Sequence, residues 1–123
     1  STPRMFAQVI NRINRDYEIP IFLITENGYD DSGELLDSNR SRYFYEHLRE
    51  IPPLIASGIN IQGYYAWSLL DNFEWNMGYT VSYGIHSVNF SDPERTRSAK
   101  LSTKILRDVF ETKKIPEFTN PIN

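Results

Sequence analysis

No cysteine occurs among the 123 residues, which excludes disulfide bonds and thiolate metal sites while leaving the compartment open. Long apolar runs are missing as well. The longest uncharged stretch, between Pro52 and Asp71, is broken by Pro53, Ser57, Asn60, Gln62 and glycines, so it cannot span a bilayer. There is no large excess of either charge. A formal net charge of -3 with 24% charged residues gives no reason to expect nucleic acid or an anionic membrane surface as partner. Histidine is scarce, and His47 has no His or Cys at ligand spacing, so it reads as a packed or rim group. No signal peptide is visible, and the first residue is Ser1 rather than Met. The chain is therefore expected to be a piece of something longer, and one domain at most.

Aromatic residues are abundant. Eight Tyr, seven Phe and two Trp are present, and they crowd into residues 64–90. Before them stands the run Ile19-Pro20-Ile21-Phe22-Leu23-Ile24-Thr25-Glu26-Asn27-Gly28. An unbroken apolar run that meets a carboxylate predicts a strand covered on both faces, as in parallel sheets wrapped by helices. An ionised glutamate is costly beside such a run unless paired or solvated. A strand ending at Thr25 would lift Glu26 to the carboxyl edge of the sheet, where α/β barrels and open α/β sheets keep their chemistry. The alternative is a surface carboxylate in a turn closed by Asn27-Gly28.

Around that strand the chain alternates. Thr2 as cap and Pro3 in the first turn open a helix whose apolar stripe is Met5, Phe6, Val9, Ile10, Ile13 and Tyr17. Asp30, Asp31, Gly33, Glu34 and Asp37 form an acidic loop, expected to be solvated because their spacing fits no EF-hand pattern. Ser38 or Asn39 caps a second helix with the stripe Tyr43, Phe44, His47, Leu48 and Ile51, and Pro52-Pro53 end or kink it. Gly58 opens a second strand through Ser68, followed by a long loop to Tyr79. Tyr83 to Phe90 is a candidate extended piece, Ser91 to Ser98 reads as turn, and a last amphipathic helix starts near Ala99, with Ile115 to Asn123 as tail. Strands alternating with helices of this size predict βαβ units and a parallel sheet. Two parallel strands leave unpaired edges, so the expected whole is a larger barrel or sheet.

The second informative cluster is Trp67-Ser68-Leu69-Leu70-Asp71-Asn72-Phe73-Glu74-Trp75. Sugars present apolar C–H faces ringed by hydroxyls, which indoles and carboxylates suit. The alternative is a hydrophobic mini-core packing the loop down, with Glu74 capping backbone.

Ile24-Thr25-Glu26-Asn27-Gly28, Asp37 with Asn39-Arg40, and Tyr64-Tyr65-Ala66-Trp67-Ser68-Leu69-Leu70-Asp71-Asn72-Phe73-Glu74-Trp75 with Gly78-Tyr79 resemble glycoside hydrolase family 1, the β-glucosidase family. The likeness runs from about Thr2 to about Val109. It implies an α/β chain forming the C-terminal part, about the last two βα units, of a (β/α)8 TIM barrel. All of residues 1–123 would belong to that partial barrel. It further implies that Glu26 is the catalytic nucleophile and that Trp67, Glu74 and Trp75 contact the glycone. Tyr83, eight positions after Trp75, would line the sugar pocket.

The implied reaction is double displacement with retention. A second carboxylic acid about 5–5.5 Å from the nucleophile would protonate the leaving oxygen and later act as base. The implied substrate is a small β-glycoside, with no cofactor, metal, nucleic acid or membrane partner. The family's Asn-Glu-Pro motif, which carries the acid/base, is absent from this sequence. Its usual Arg before the pocket aromatic is Ser82, and a Val-Asp pairing becomes Val88-Asn89; both changes are expected to weaken loop anchoring. The sequons Asn39-Arg40-Ser41 and Asn89-Phe90-Ser91 are compatible with a secreted protein. A non-catalytic sugar- or protein-binding relative and a truncated, inactive product are the alternative readings.

Overall fold

Helix-forming and strand-forming segments alternate as the residue periods require. A computed structural model describes residues 1–116, so the end of the expected tail lies outside the described residues. The order is α1 (Pro3–Asp16), β1 (Phe22–Gly28), α2 (Ser38–Leu48), α3 (Ile51–Ala56) and β2 (Ile61–Trp67). A 3-10 turn (Trp75–Met77), β3 (His86–Val88), β4 (Arg97–Ala99) and α4 (Leu101–Thr112) follow. β1 and β2 pair in parallel across the intervening helices, which is a βαβ unit. β3 and β4 form an antiparallel hairpin, so part of the stretch expected to be turn, residues 97 and 98, is strand.

The helices cover one face of the parallel pair. Ile10, Leu54 and Ile59 pack with Phe22 and Ile24 on one side, and Phe44, Leu48, Ile85 and Leu106 pack with Tyr64 and Ala66 on the other. On the opposite face Leu23 is 57% exposed and Tyr65 61% exposed. The expectation of a strand covered on both faces is therefore corrected: the helices among the described residues reach only one of them. Among the described residues no helix is long and apolar enough to cross a membrane.

Three local expectations also change. β1 does not stop at Thr25 but continues through Glu26 to Gly28. The second helix does end ahead of Pro52 and Pro53, at Leu48, but earlier than its expected stripe to Ile51; the two prolines occupy the first turn of the short α3, where the missing N–H is unpaired in any helix. The cap of α2 is Asp37, whose carboxylate accepts no hydrogen bond from the first N–H groups of that helix and instead bonds the Arg40 side chain and Ser102 of α4.

The acidic loop is only partly solvated. Asp37 is buried and pairs with buried Arg40 at 3.0 Å, and Arg40 also pairs with Asp31. Burial raises the Asp37 carboxyl above its ordinary value, and hydrogen bonds from Ser102 and the charge of Arg40 offset part of that rise. In the first sequon Ser41 is fully buried, whereas Asn89 and Ser91 are exposed in the turn joining β3 to β4.

His47 is buried between α1 and α2. Its ring stacks on Tyr43 with centroids 3.9 Å apart and meets the Phe6 ring edge-on at 5.5 Å, while Nδ1 lies 2.8 Å from the Tyr43 carbonyl. Burial lowers its pKa below the ordinary 6.5. The folded state thus prefers the neutral ring. That stabilisation is complete above the unfolded value and is lost as pH falls through the lowered folded value. In the intact protein, His47→Gln should flatten the acid side of a plot of Tm against pH below about 6.5. An unchanged slope there would contradict this assignment.

Candidate functional site

The site is built where β1 and β2 end side by side. Gly28 faces Trp67 and Asn27 faces Ala66 in the parallel register, but Ile24 faces Tyr64. Thr25 and Glu26 together therefore stand opposite the single residue Tyr65, which is a bulge. Strict alternation would turn Glu26 toward the helices with Phe22 and Ile24. The extra residue shifts that place to Asn27, which is half-buried, and leaves Glu26 exposed with Leu23 and Thr25.

Asn27 is held from both sides. Its Nδ2 donates to the Tyr43 hydroxyl at 3.0 Å, and the Tyr64 hydroxyl donates to its Oδ1 at 2.7 Å. Burial raises both phenols above their ordinary pKa, so both stay protonated across the neutral range. The strand end that carries Glu26 is thereby tied to α2 and to β2.

Glu26, Asn27, Gly28, Tyr43, Trp67, Glu74, Trp75 and Tyr83 line one open cavity of about 540 Å³. All five residues singled out in the sequence, Glu26, Trp67, Glu74, Trp75 and Tyr83, are among them. Trp67 donates from Nε1 to Glu74 Oε1 at 3.3 Å. Glu74 is half-buried, and its backbone N–H is bonded to the Gly78 carbonyl at 2.7 Å, which closes the short turn holding Trp75. Trp75 has a left-handed backbone (φ 44°) and is 82% exposed. Burial, together with the nearby carboxylates of Asp30 and Glu74, raises the Tyr83 phenol, which is then a neutral O–H donor at the cavity wall.

Three lining residues, Asn27, Gly28 and Tyr43, are not singled out as site residues by the sequence. Spacing places Tyr43 in an apolar stripe, and Asn27 reads only as part of a turn or motif; the hydroxyl of the one and the amide of the other are what the cavity uses. Ser82, which stands where the family's usual residue is arginine, is buried, and its backbone exchanges two hydrogen bonds of 3.0 Å with Asp31. The turn at Asn89 is likewise fastened, since its N–H donates to Thr96 O at 2.9 Å and its Oδ1 accepts from Ser91 N at 3.1 Å. A second cleft of about 600 Å³, lined by Leu48, Ile51, Ile55, Tyr64, Val109 and Phe110 among others, contains no carboxylate and offers no comparable chemistry.

Chemically, the cavity combines two carboxylates with two indoles and two phenols. This is a set that can stack on a pyranose face, accept from its hydroxyls and place one carboxylate oxygen near a ring carbon.

The sequence matches the family described as Glycosyl hydrolase family 1 over residues 1–115. It is 42% identical over 102 residues to Beta-glucosidase 13 of Arabidopsis thaliana, covering 80% of this chain and 20% of that one. To Myrosinase 1 of Brevicoryne brassicae it is 36% identical over 113 residues, covering 91% and 24% respectively. Its structure is similar to a beta-glucosidase from Thermotoga maritima in complex with methoxycarbonyl-substituted glucoimidazole, with a TM-score of 0.87 and 30% identity over 93% of this chain and 27% of that one. The chain thus spans about a quarter or less of the length of these relatives.

Proposed function

The chain belongs to glycosyl hydrolase family 1, and from that membership and the cavity we propose that it carries the nucleophile side of a retaining β-glycosidase. The substrate class is a small glycoside with a terminal β-linked, glucose-like sugar. The observation that carries the reading is the convergence on one cavity of Glu26 and Trp67, from two adjacent strand ends, with Glu74, Trp75 and Tyr83 from the segment after β2.

In this reading the Glu26 carboxylate attacks the anomeric carbon and displaces the leaving oxygen, giving a glycosyl ester. A second carboxylic acid protonates that oxygen as it departs. Water, deprotonated by the same group, then attacks the ester carbon and releases the sugar with its configuration retained. No Asn-Glu-Pro motif occurs in these 123 residues, so the acid/base is assigned to chain outside them. Trp67 and Glu74, joined by their hydrogen bond, act as one wall against the glycone hydroxyls. Their contacts matter most as the ring distorts toward the transition state.

The fold supports the same assignment. The unit reads as about the last two βα units of a (β/α)8 barrel, with active residues at the carboxyl ends of its strands. The uncovered face, with Leu23 and Tyr65, is the side that the remaining strands would close. Alone, the unit is expected to be inactive, because its β1–β2 pair buries one face only.

The test is covalent. A 2-deoxy-2-fluoro-β-glucoside with an activated leaving group lacks the 2-hydroxyl contacts, which slows both steps, while its leaving group restores the first. Incubated with the full-length protein, it should accumulate as an ester on the peptide containing Glu26, read by mass spectrometry. No label, or label on another carboxylate, would overturn the assignment.

A further inference from the structure

The residues on either side of Tyr83 are gripped by two buried charge clusters that no step above uses. Arg40, with its side chain fully buried, donates from Nη2 to the Ser82 carbonyl at 2.7 Å and from Nη1 to the Gly84 carbonyl at 2.6 Å. The same guanidinium donates from Nε to the Tyr29 carbonyl at 2.9 Å and pairs with Asp31 and Asp37. From the other side, Asp71 Oδ1 accepts from Gly84 N at 2.8 Å and from Lys100 Nζ at 3.1 Å. It also accepts from the Ser82 hydroxyl, which in turn lies 2.5 Å from Lys100 Nζ. Lys100 is itself buried, with a fully covered side chain. The Tyr83 carbonyl is taken by Ser68 N at 3.0 Å, in the residue directly after Trp67.

We propose that Arg40 and Asp71 are positioning residues, whose function is to fix the Tyr83 ring at the wall of the Glu26 cavity. Neither lines that cavity. Arg40 suits the task because a planar fork with five N–H donors can meet carbonyls and carboxylates from separate segments at once, which the point charge of a lysine cannot. Its partners lie in the loop after β1 and in the segment around Tyr83, so one buried side chain sets the span between that loop and the segment that brings Tyr83 to the cavity. The grip is tight on the Asp71 side too. A Cβ at Gly84 would lie 2.1 Å from Asp71 N, so the backbone after Tyr83 packs directly on the Asp71 backbone. Ser82, at the position where the family's usual residue is Arg, joins both clusters through its carbonyl and its hydroxyl.

This inference rests on the glycosidase reading for its kinetic form, and its test separates the two. In the full-length protein, Arg40→Lys should lower kcat/KM about tenfold through a misplaced wall. The milder Ser82→Ala, which removes one hydroxyl link, should lower it about threefold. Each is then combined with Tyr83→Ala. A residue that acts through Tyr83 adds nothing once the ring is gone, so each double variant should match Tyr83→Ala alone. Losses that multiply in the double variants would overturn the proposal. Should Arg40→Lys not fold, the Ser82→Ala cycle decides between the same two outcomes. A crystal structure of either single variant reads the clamp whatever the cavity binds. A Tyr83 ring in its original place sinks the positioning role, while a displaced ring in a protein whose Glu26 takes no label keeps that role and sinks the hydrolase.

Discussion

Glu26→Gln in the full-length protein is expected to lower kcat by at least about 10⁴-fold while leaving the binding of a neutral glucose analogue within a few-fold of wild type. The substitution keeps shape and volume and removes one negative charge. Glu26 is exposed in the cavity, so little packing is at stake and the fold should survive. An amide has no anionic oxygen to form the glycosyl ester, and no other group in the cavity stands in Glu26's place at the end of β1. Glu74 is the other carboxylate of the cavity, but its Oε1 already accepts from the Trp67 indole. Turnover within about tenfold of wild type would remove Glu26 from the reaction and leave a sugar-binding protein as the better reading. Loss of ligand binding together with turnover would instead mean that the carboxylate serves recognition.

How far the sequence alone carries this site depends on the residue. Glu26, Trp67, Glu74, Trp75 and Tyr83 are legible because their motifs are long and their chemistry is specific. The βαβ order is legible because apolar spacing changes period between strand and helix. The bulge at Thr25–Glu26 is not: nothing in a run of apolar residues states which one lacks a partner, yet that extra residue decides which way Glu26 stands. Asp31, Asp37, Asp71 and Lys100 are not legible as buried partners either. Charges near turns are usually solvated; Asp31 and Asp37 reveal themselves only when Arg40 of the next helix is seen between them, and Asp71 and Lys100 only when they are seen paired with each other. Pro52-Pro53 is legible in part: the break between two helices is where the pair announces it, but proline does not state that it opens the second helix, because a helix stop and a helix start obey the same stereochemistry. β3 falls inside the stretch read as extended, Tyr83 to Phe90, whereas β4 escapes because a three-residue strand is too short to show alternation.

Gly28→Ala should be the most damaging single methyl group that can be added near the site. A Cβ there would lie 2.0 Å from the Trp67 carbonyl oxygen, 3.0 Å from its carbonyl carbon and 3.2 Å from its Cβ. Two of those atoms are backbone of the neighbouring strand, so no rotamer change relieves the contact, and β1 and β2 must part at their carboxyl ends. That displacement reaches the cavity by two routes. Trp67 moves with its own backbone, taking its bond to Glu74, and Ser68 moves with it, loosening the bond from Ser68 N to the Tyr83 carbonyl. Glu26 sits two residues before the added methyl on the strand that is pushed away. A shift of about 1 Å between catalytic groups can cost about 100-fold, and overpacking of this kind costs about 1–3 kcal/mol of stability. Gly28→Ala is therefore expected to lower kcat/KM by about 100-fold with a fall in Tm of several degrees. Gly63→Ala, in the middle of β2, is the control. Its Cβ would meet a terminal methyl of the Leu23 side chain at 2.9 Å and no backbone atom, so the two strands need not part there and activity should fall far less than for Gly28→Ala. If Gly28→Ala kept the activity of Gly63→Ala, the two strand ends would not be coupled through this contact, and the cavity's geometry would have to be set elsewhere.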